Sequence, residues 1–127
     1  PEEEGILRQA KENGTGFIAF SPLAQGLLTN RYLNGIPDDS RIAKGGFLKK
    51  EALTDEVLKK IKALNELAIR RGQTLAEMAL AWILKDDLVT SVIIGASSVG
   101  QLADNLKAID NTAFSAEELK NIYQIVK

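Results

Sequence analysis

Two short apolar runs constrain this chain more than any other feature. Phe17, Ile18, Ala19 and Phe20 follow one another without polar alternation, and the run 89–94, VTSVII, is rich in β-branched residues. A strand that is apolar without alternation calls for cover on both faces, as in a parallel sheet. The residues between the two runs carry helical patterns, so the strands are joined by a crossover and are predicted to be parallel, with right-handed connection. Two such strands alone leave unpaired edges and uncovered faces. The pattern therefore reads as part of a larger parallel sheet and not as a finished fold.

The segments around the strands are helical. Residues 2–13 read as a helix with acids in its first turn, a face of Ile6, Leu7 and Ala10, and Gly14 in the left-handed position after its end. Thr54 caps a helix over 55–71, with a stripe of Val57, Ile61, Leu64 and Ala68 widened by Leu58 and Leu67. Arg70 and Arg71 sit at its negative end, before Gly72. Thr74 and Glu77 have capping-box spacing and open a helix burying Leu75, Met78, Ala79, Trp82 and Ile83, the Met and Trp read as core. Ser98 with Gln101, and Ser115 with Glu118, repeat that spacing. The first opens a helix striped by Val99, Leu102, Ala103, Leu106 and Ile109. The second opens one that buries Leu119, Ile122, Tyr123 and Val126.

Composition removes several function classes. The 16 basic and 17 acidic side chains are interspersed and nearly cancel, leaving no broad footprint for nucleic acid or an anionic membrane. Without cysteine there is no disulfide and no thiolate metal site, and no metal ligand set is assigned. No apolar run approaches the roughly 20 residues of a membrane-spanning helix. A soluble, cytoplasmic protein is the expectation, and 127 residues are enough for one compact unit. The chain opens on Pro1, as a piece of something longer would.

The chemistry lies where the strands end. After Phe20 the chain runs into Ser21, Pro22, Leu23, Ala24, Gln25 and Gly26, where Pro22 stops the ladder for want of an N–H. After Ile94 come Gly95, Ala96, Ser97 and Ser98 and then a helix N-terminus, whose free N–H groups and positive dipole end suit an anion. Gly and Ser also serve βα turns as plain punctuation, so each turn alone is a weak signal. Between the strands, residues 30–53 form a long irregular stretch, read either as a lid or as a surface excursion. Its cations Arg31, Arg41 and Lys44 add to the case for a phosphate-bearing ligand, although each singly suits a solvated surface.

Three runs in fixed order, AFSPLAQGLLTNRYLNGIPDDSR, RRGQTLAEMALAWILKD and TSVIIGASSVGQLADNL, resemble the C-terminal part of the aldo/keto reductases. The branch most similar contains bacterial glyceraldehyde 3-phosphate reductases and potassium-channel β subunits. The resemblance implies an α/β fold, the C-terminal portion of a (β/α)8 TIM barrel. It would hold strands seven and eight, their helices and the C-terminal helix, and would be mostly helical as an isolated chain, a single partial domain over 1–127. Ligands of such barrels lie at the C-terminal strand ends. The implied cofactor is NADP, with Phe20, Ser21, Pro22, Leu23, Ala24 and Gln25 lining the nicotinamide and pyrophosphate and Arg31 and Arg41 approaching the phosphates. Gly95, Ser97, Gln101, Asp104 and Asn105 would hold the adenosine and its 2′-phosphate.

The implied activity is NADPH-dependent reduction of small aldehydes or ketones. A channel-associated, cofactor-sensing protein is the alternative. Ser98 stands where many relatives carry a basic residue, and Asp39 where some carry an aromatic one, so the preference for NADP is inherited from the family. The family's catalytic Tyr, Lys, Asp and His come from the first half of the barrel. This chain has no histidine, and Tyr32 and Tyr123 do not match the catalytic position. No catalytic residue is assigned, and the chain alone is expected to be inactive. Pairing with a second copy is one way for it to cover its strand edges.

Overall fold

The computed structural model describes residues 4–35, 38 and 53–127. Helix α1 (Ile6–Glu12) leads into strand β1 (Ile18–Phe20); α2 (Asp55–Arg70) and α3 (Leu75–Ile83) lead to β2 (Ser91–Ile93); α4 (Val99–Leu106) and α5 (Ala116–Val126) complete the order. The strands pair in parallel, Ile18 with Ser91, Ala19 with Val92 and Phe20 with Ile93, in a two-stranded sheet. The chain is thus mainly helical around one small parallel ladder. None of the described helices is long and apolar enough to cross a membrane.

Local sequence chemistry explains most element ends. The α1 helix ends in a Schellman motif: Thr15 N–H reaches the Ala10 carbonyl (2.8 Å) and Gly14 N–H that of Lys11 (3.0 Å), with Gly14 at φ 66°. The same motif recurs after α2, where Gln73 N–H reaches Ala68 and Gly72 sits at φ 69°. Thr54 Oγ1 accepts from Val57 N–H (3.2 Å) and starts α2. Thr74 with Glu77 and Ser115 with Glu118 form complete capping boxes, each side chain satisfying the other's backbone.

The core lies between helices. Ile61, Leu64, Leu67 and Ala68 of α2 meet Leu75 and Met78 of α3 and Ile122 of α5. Each buried Leu or Ile contributes on the order of 1.5–3 kcal/mol. Leu27, Leu28 and Leu33 pack against the same cluster, so the segment that follows β1 is anchored in the helical core.

Several expectations are corrected. The first helix starts only at Ile6, behind Gly5 at φ 77°, with no acid in its first turn and with Ile6 exposed. The ladder, by contrast, is as two strands alone would leave it, with one uncovered face: Ile18, Phe20 and Ile93 share that face and are exposed, Phe20 by 79%. The buried face of α3 includes Leu80 and Ala81, while Ala79, Trp82 and Ile83 are only half-buried. The apolar stripe of α4 is exposed, Val99 by 85%. That helix packs on α3 and on the 3₁₀ turn Lys107–Asp110, and the residues buried there are Asn105 and Ala108. On α5, which packs on α2, Tyr123 and Val126 are exposed and Ile125 joins the core instead.

Candidate functional site

The loop after β1 is backbone-strained. Ser21, Ala24 and Gln25 have φ of 53°, 47° and 58°, the left-handed region that costs a non-glycine residue about 1–2 kcal/mol. Strain of this kind persists where surrounding structure over-determines the backbone, and it clusters at functional sites. Here a short ladder of Ala24 N–H to Ser21 O (3.1 Å), Gly26 N–H to Leu23 O (2.9 Å) and Leu28 N–H to Leu23 O (3.2 Å) holds it. Thr29 then donates to the Gly26 carbonyl (2.6 Å) and accepts from Arg31 N–H (3.2 Å), capping the 3₁₀ turn Asn30–Tyr32.

Tyr32 is 1% exposed and packs against Leu27 and Leu53. A Cβ on Gly26 would stand 3.8 Å from its ring. The tyrosine is therefore a pin under the loop, and it also lines a groove over the strand ends. Arg41 and Lys44, and most of the predicted lid, lie outside the described residues.

The turn after β2 is open. A Cβ on Gly95 would meet nothing within 4 Å, so backbone there is accessible. Ser98 Oγ accepts from Gln101 N–H (3.1 Å) and caps α4. The reciprocal half of the predicted box does not form. Gln101 Oε1 instead accepts from the N–H (2.7 Å) and the hydroxyl (2.9 Å) of Ser97, one residue earlier.

Two grooves meet over these strand ends. The first, about 770 Å³, is lined by Phe20, Ser21, Pro22, Leu23 and Gln25 from one turn, and by Ile93, Ile94, Gly95, Ala96 and Ser97 from the other. The second, about 740 Å³, runs along α4 past Gly100, Asp104 and Asn105 to Asn30, Thr74 and Ala76. Thr29, Arg31 and Gln101 line both. Together they make one trough, and Arg31 is its cation among the described residues.

At the far end of the trough, Asn105 is 5% exposed and its Nδ2 is buried without a hydrogen-bond partner. A buried donor left unmade costs roughly 1–3 kcal/mol, so such a group points to a missing acceptor. Asp104 is exposed and accepts from Lys107 Nζ (2.9 Å). That hydrogen bond, with the carboxylate charge, holds Lys107 above its ordinary pKa.

Of the residues marked from sequence, Phe20, Ser21, Pro22, Leu23, Gln25, Arg31, Gly95, Ser97, Gln101, Asp104 and Asn105 come together along this trough. Ala24 lines neither groove. Sequence reasoning missed Thr29 and Thr74. Thr29 caps the turn Asn30–Tyr32, a signal the spacing offered, whereas Thr74 was marked from sequence only as a helix cap and its place in the second groove depends on neighbours that spacing does not show.

The family model described as the aldo/keto reductase family matches residues 1–127. The chain is 51% identical over 127 residues to the L-glyceraldehyde 3-phosphate reductase of Escherichia coli K12, covering 97% of this chain and 37% of that protein. It is 43% identical over 111 residues to a probable voltage-gated potassium channel subunit beta of Arabidopsis thaliana, covering 85% and 34%. Among solved structures, a glycerol dehydrogenase of Gluconobacter oxydans superposes with TM-score 0.76 at 25% identity, over 98% of this chain and 38% of the other. A Bacillus halodurans aldo-keto reductase in its holo form gives 0.69 at 29% identity, with the same coverage. The chain thus spans little more than a third of the length of the relatives it matches.

Proposed function

The chain belongs to the aldo/keto reductase family, and on that premise we propose that it is the dinucleotide-holding part of an oxidoreductase that reduces small aldehydes or ketones with NADP(H). The observation that carries the reading is the buried, unpartnered Asn105 Nδ2 at one end of a trough whose other end is the strained turn after β1. The residues fit the group. Asn105 offers its amide to an adenine acceptor, and the N-terminal turn of α4 suits a phosphate. Arg31 lies at the crossing between the grooves, and Ser21, Pro22, Leu23 and Gln25 flank the nicotinamide end. When bound, the cofactor supplies hydride to a carbonyl carbon.

In this reading residues 1–127 are one partial domain. The strands are the seventh and eighth of a barrel, and the exposed face of Ile18, Phe20 and Ile93 turns toward the barrel interior. The acid that protonates the developing alkoxide comes from outside this chain, and the protein works in the cytoplasm on soluble carbonyls. At 51% identity the glyceraldehyde 3-phosphate reductase is the leading guide to substrate. The test is NADPH consumption with glyceraldehyde 3-phosphate and a panel of short aldehydes. A polypeptide of the relatives' full length carrying this chain should turn over, and the 127 residues alone should not. The likeness to the Arabidopsis channel subunit favours a second reading, a cofactor-sensing binding protein. Tight NADPH binding with no oxidation by any aldehyde in the panel would decide for it.

A further inference from the structure

An asparagine precedes a glycine at Asn13-Gly14 and at Asn34-Gly35. Such a pair is chemically labile, because a glycine has no Cβ to keep its own backbone nitrogen away from the neighbouring carboxamide carbon. Both pairs are exposed, so water and base reach each of them. Hydrogen bonding separates them. Asn13 Nδ2 donates to the Gln9 carbonyl (2.8 Å), and Gly14 N–H donates to the Lys11 carbonyl (3.0 Å) within the motif that ends α1. The group that would leave and the nitrogen that would attack are both held. At Asn34 the hold is weak: no hydrogen bond joins its carboxamide to a described residue, and Gly35 N–H reaches the Tyr32 carbonyl only at 3.4 Å, outside the usual range of an amide bond.

We propose that Asn34 is a self-modification site, losing ammonia to become aspartate or isoaspartate while Asn13 keeps its amide. The Gly35 nitrogen gives up its proton to solvent base and attacks Cγ of Asn34. The new N–Cγ bond forms as the Cγ–Nδ2 bond breaks, and Nδ2 leaves as ammonia with a proton taken from solvent. Water then opens the cyclic imide at either carbonyl, restoring an N–H on Gly35 and leaving a carboxylate. Nothing is oxidised or reduced. The position gives the change a consequence. Asn34 stands three residues after Arg31, in a run of turns closed by Leu33 N–H to Asn30 O (3.3 Å) and Gly35 N–H to Tyr32 O, and that spacing brings side chains to one side of the chain. The new carboxylate therefore lies beside the cation that lines both grooves. An isoaspartate also adds a methylene to the backbone directly after Tyr32 and Leu33, which are packed into the apolar clusters. The effect on an anionic ligand rests on the reading of the trough as a dinucleotide site; the chemistry at Asn34 does not.

The experiment is incubation of the protein at mildly alkaline pH, with peptide mapping by mass spectrometry at intervals, in buffer and in unfolding urea. In buffer, Asn34 should convert at least about tenfold faster than Asn13, the factor expected from the two hydrogen bonds that hold Asn13. In urea the two should convert at similar rates. No conversion at Asn34 in buffer, an equal rate at Asn13 in buffer, or the same preference persisting in urea would overturn the proposal. Asn34→Asp, which carries the charge without the added methylene, should bind NADPH about two- to fivefold more weakly than the unsubstituted protein. Equal affinity would overturn the effect on the trough. Absence of NADPH binding to either protein would overturn the dinucleotide reading and that effect with it, while the peptide map decides the chemistry at Asn34 independently.

Discussion

Arg71 provides the most quantitative test of how the chain holds its trough in place. Its side chain is only 4% exposed. It donates to Glu118 Oε1 (2.8 Å), Gln73 Oε1 (2.9 Å) and the Ala113 carbonyl (2.9 Å), and lies 3.7 Å from the centroid of the Phe114 ring. It thereby joins the end of α2 to the turn before α3 and to the start of α5. Arg71→Ala removes all of these at once. The pair with Glu118, whose side chain is 26% exposed, lies between surface and buried cases and is given about 1.5–2 kcal/mol. The bonds to Gln73 and Ala113 add about 1 kcal/mol together, and the ring contact roughly 0.5–1. The loss should be about 3–4 kcal/mol, read by urea unfolding as a lowered midpoint at unchanged slope. Arg71→Lys, which keeps charge but not the planar fork, should recover less than half. A double-mutant cycle with Glu118→Gln should give coupling of at least about 1 kcal/mol. A loss under about 1 kcal/mol for Arg71→Ala, or strict additivity in the cycle, would refute this account.

Two further predictions concern stability. The Ser115 N–H above all, and then the Arg71 guanidinium, hold the Glu118 carboxyl below the usual glutamate range against a partial desolvation penalty. A carboxylate lowered on folding stabilises at pH above its unfolded value and loses that contribution as pH falls through the folded one. The melting temperature of the protein should therefore fall toward that of Glu118→Gln on acidification through the glutamate range; a gap that stays constant with pH would contradict the assignment. Ala24→Gly relieves about 1–2 kcal/mol of left-handed strain at a position that lines neither groove, against about 0.5–1 kcal/mol of glycine entropy. It should stabilise by roughly 0.5 kcal/mol in thermal unfolding without changing ligand affinity, whereas a clear loss of stability would mean that the backbone there is not strained.

What the sequence made legible was local. Thr74 with Glu77, Ser115 with Glu118, and Gly14 and Gly72 act within three or four residues of themselves, so spacing alone identifies them. The parallel pairing was legible because unalternating strands joined by helices allow little else. What failed needed knowledge of neighbours. Periodicity finds the apolar stripe of α4 but cannot say what faces it, and the helix turns Asn105 inward instead. Ser97 and Ser98 both bond Gln101, the first to its side-chain oxygen and the second to its backbone N–H, and spacing alone does not tell which N–H the side chain takes. Ser21, Ala24 and Gln25 are not residue types that signal left-handed backbone, so the strain at the trough was invisible. Arg71 read as a charge at a helix end, because its partners lie some 40 residues further along the chain.

Whether this trough holds a nicotinamide dinucleotide can be read at Asn105. Asn105→Leu replaces an unpartnered buried amide with an apolar side chain of similar size, and should raise the stability of the free protein by roughly 1 kcal/mol. Titration with NADPH, followed by fluorescence or calorimetry, should then show saturable one-to-one binding to the unsubstituted protein and a loss of at least about tenfold in the variant. Absence of binding to the unsubstituted protein, or equal affinity in both, would contradict the claim.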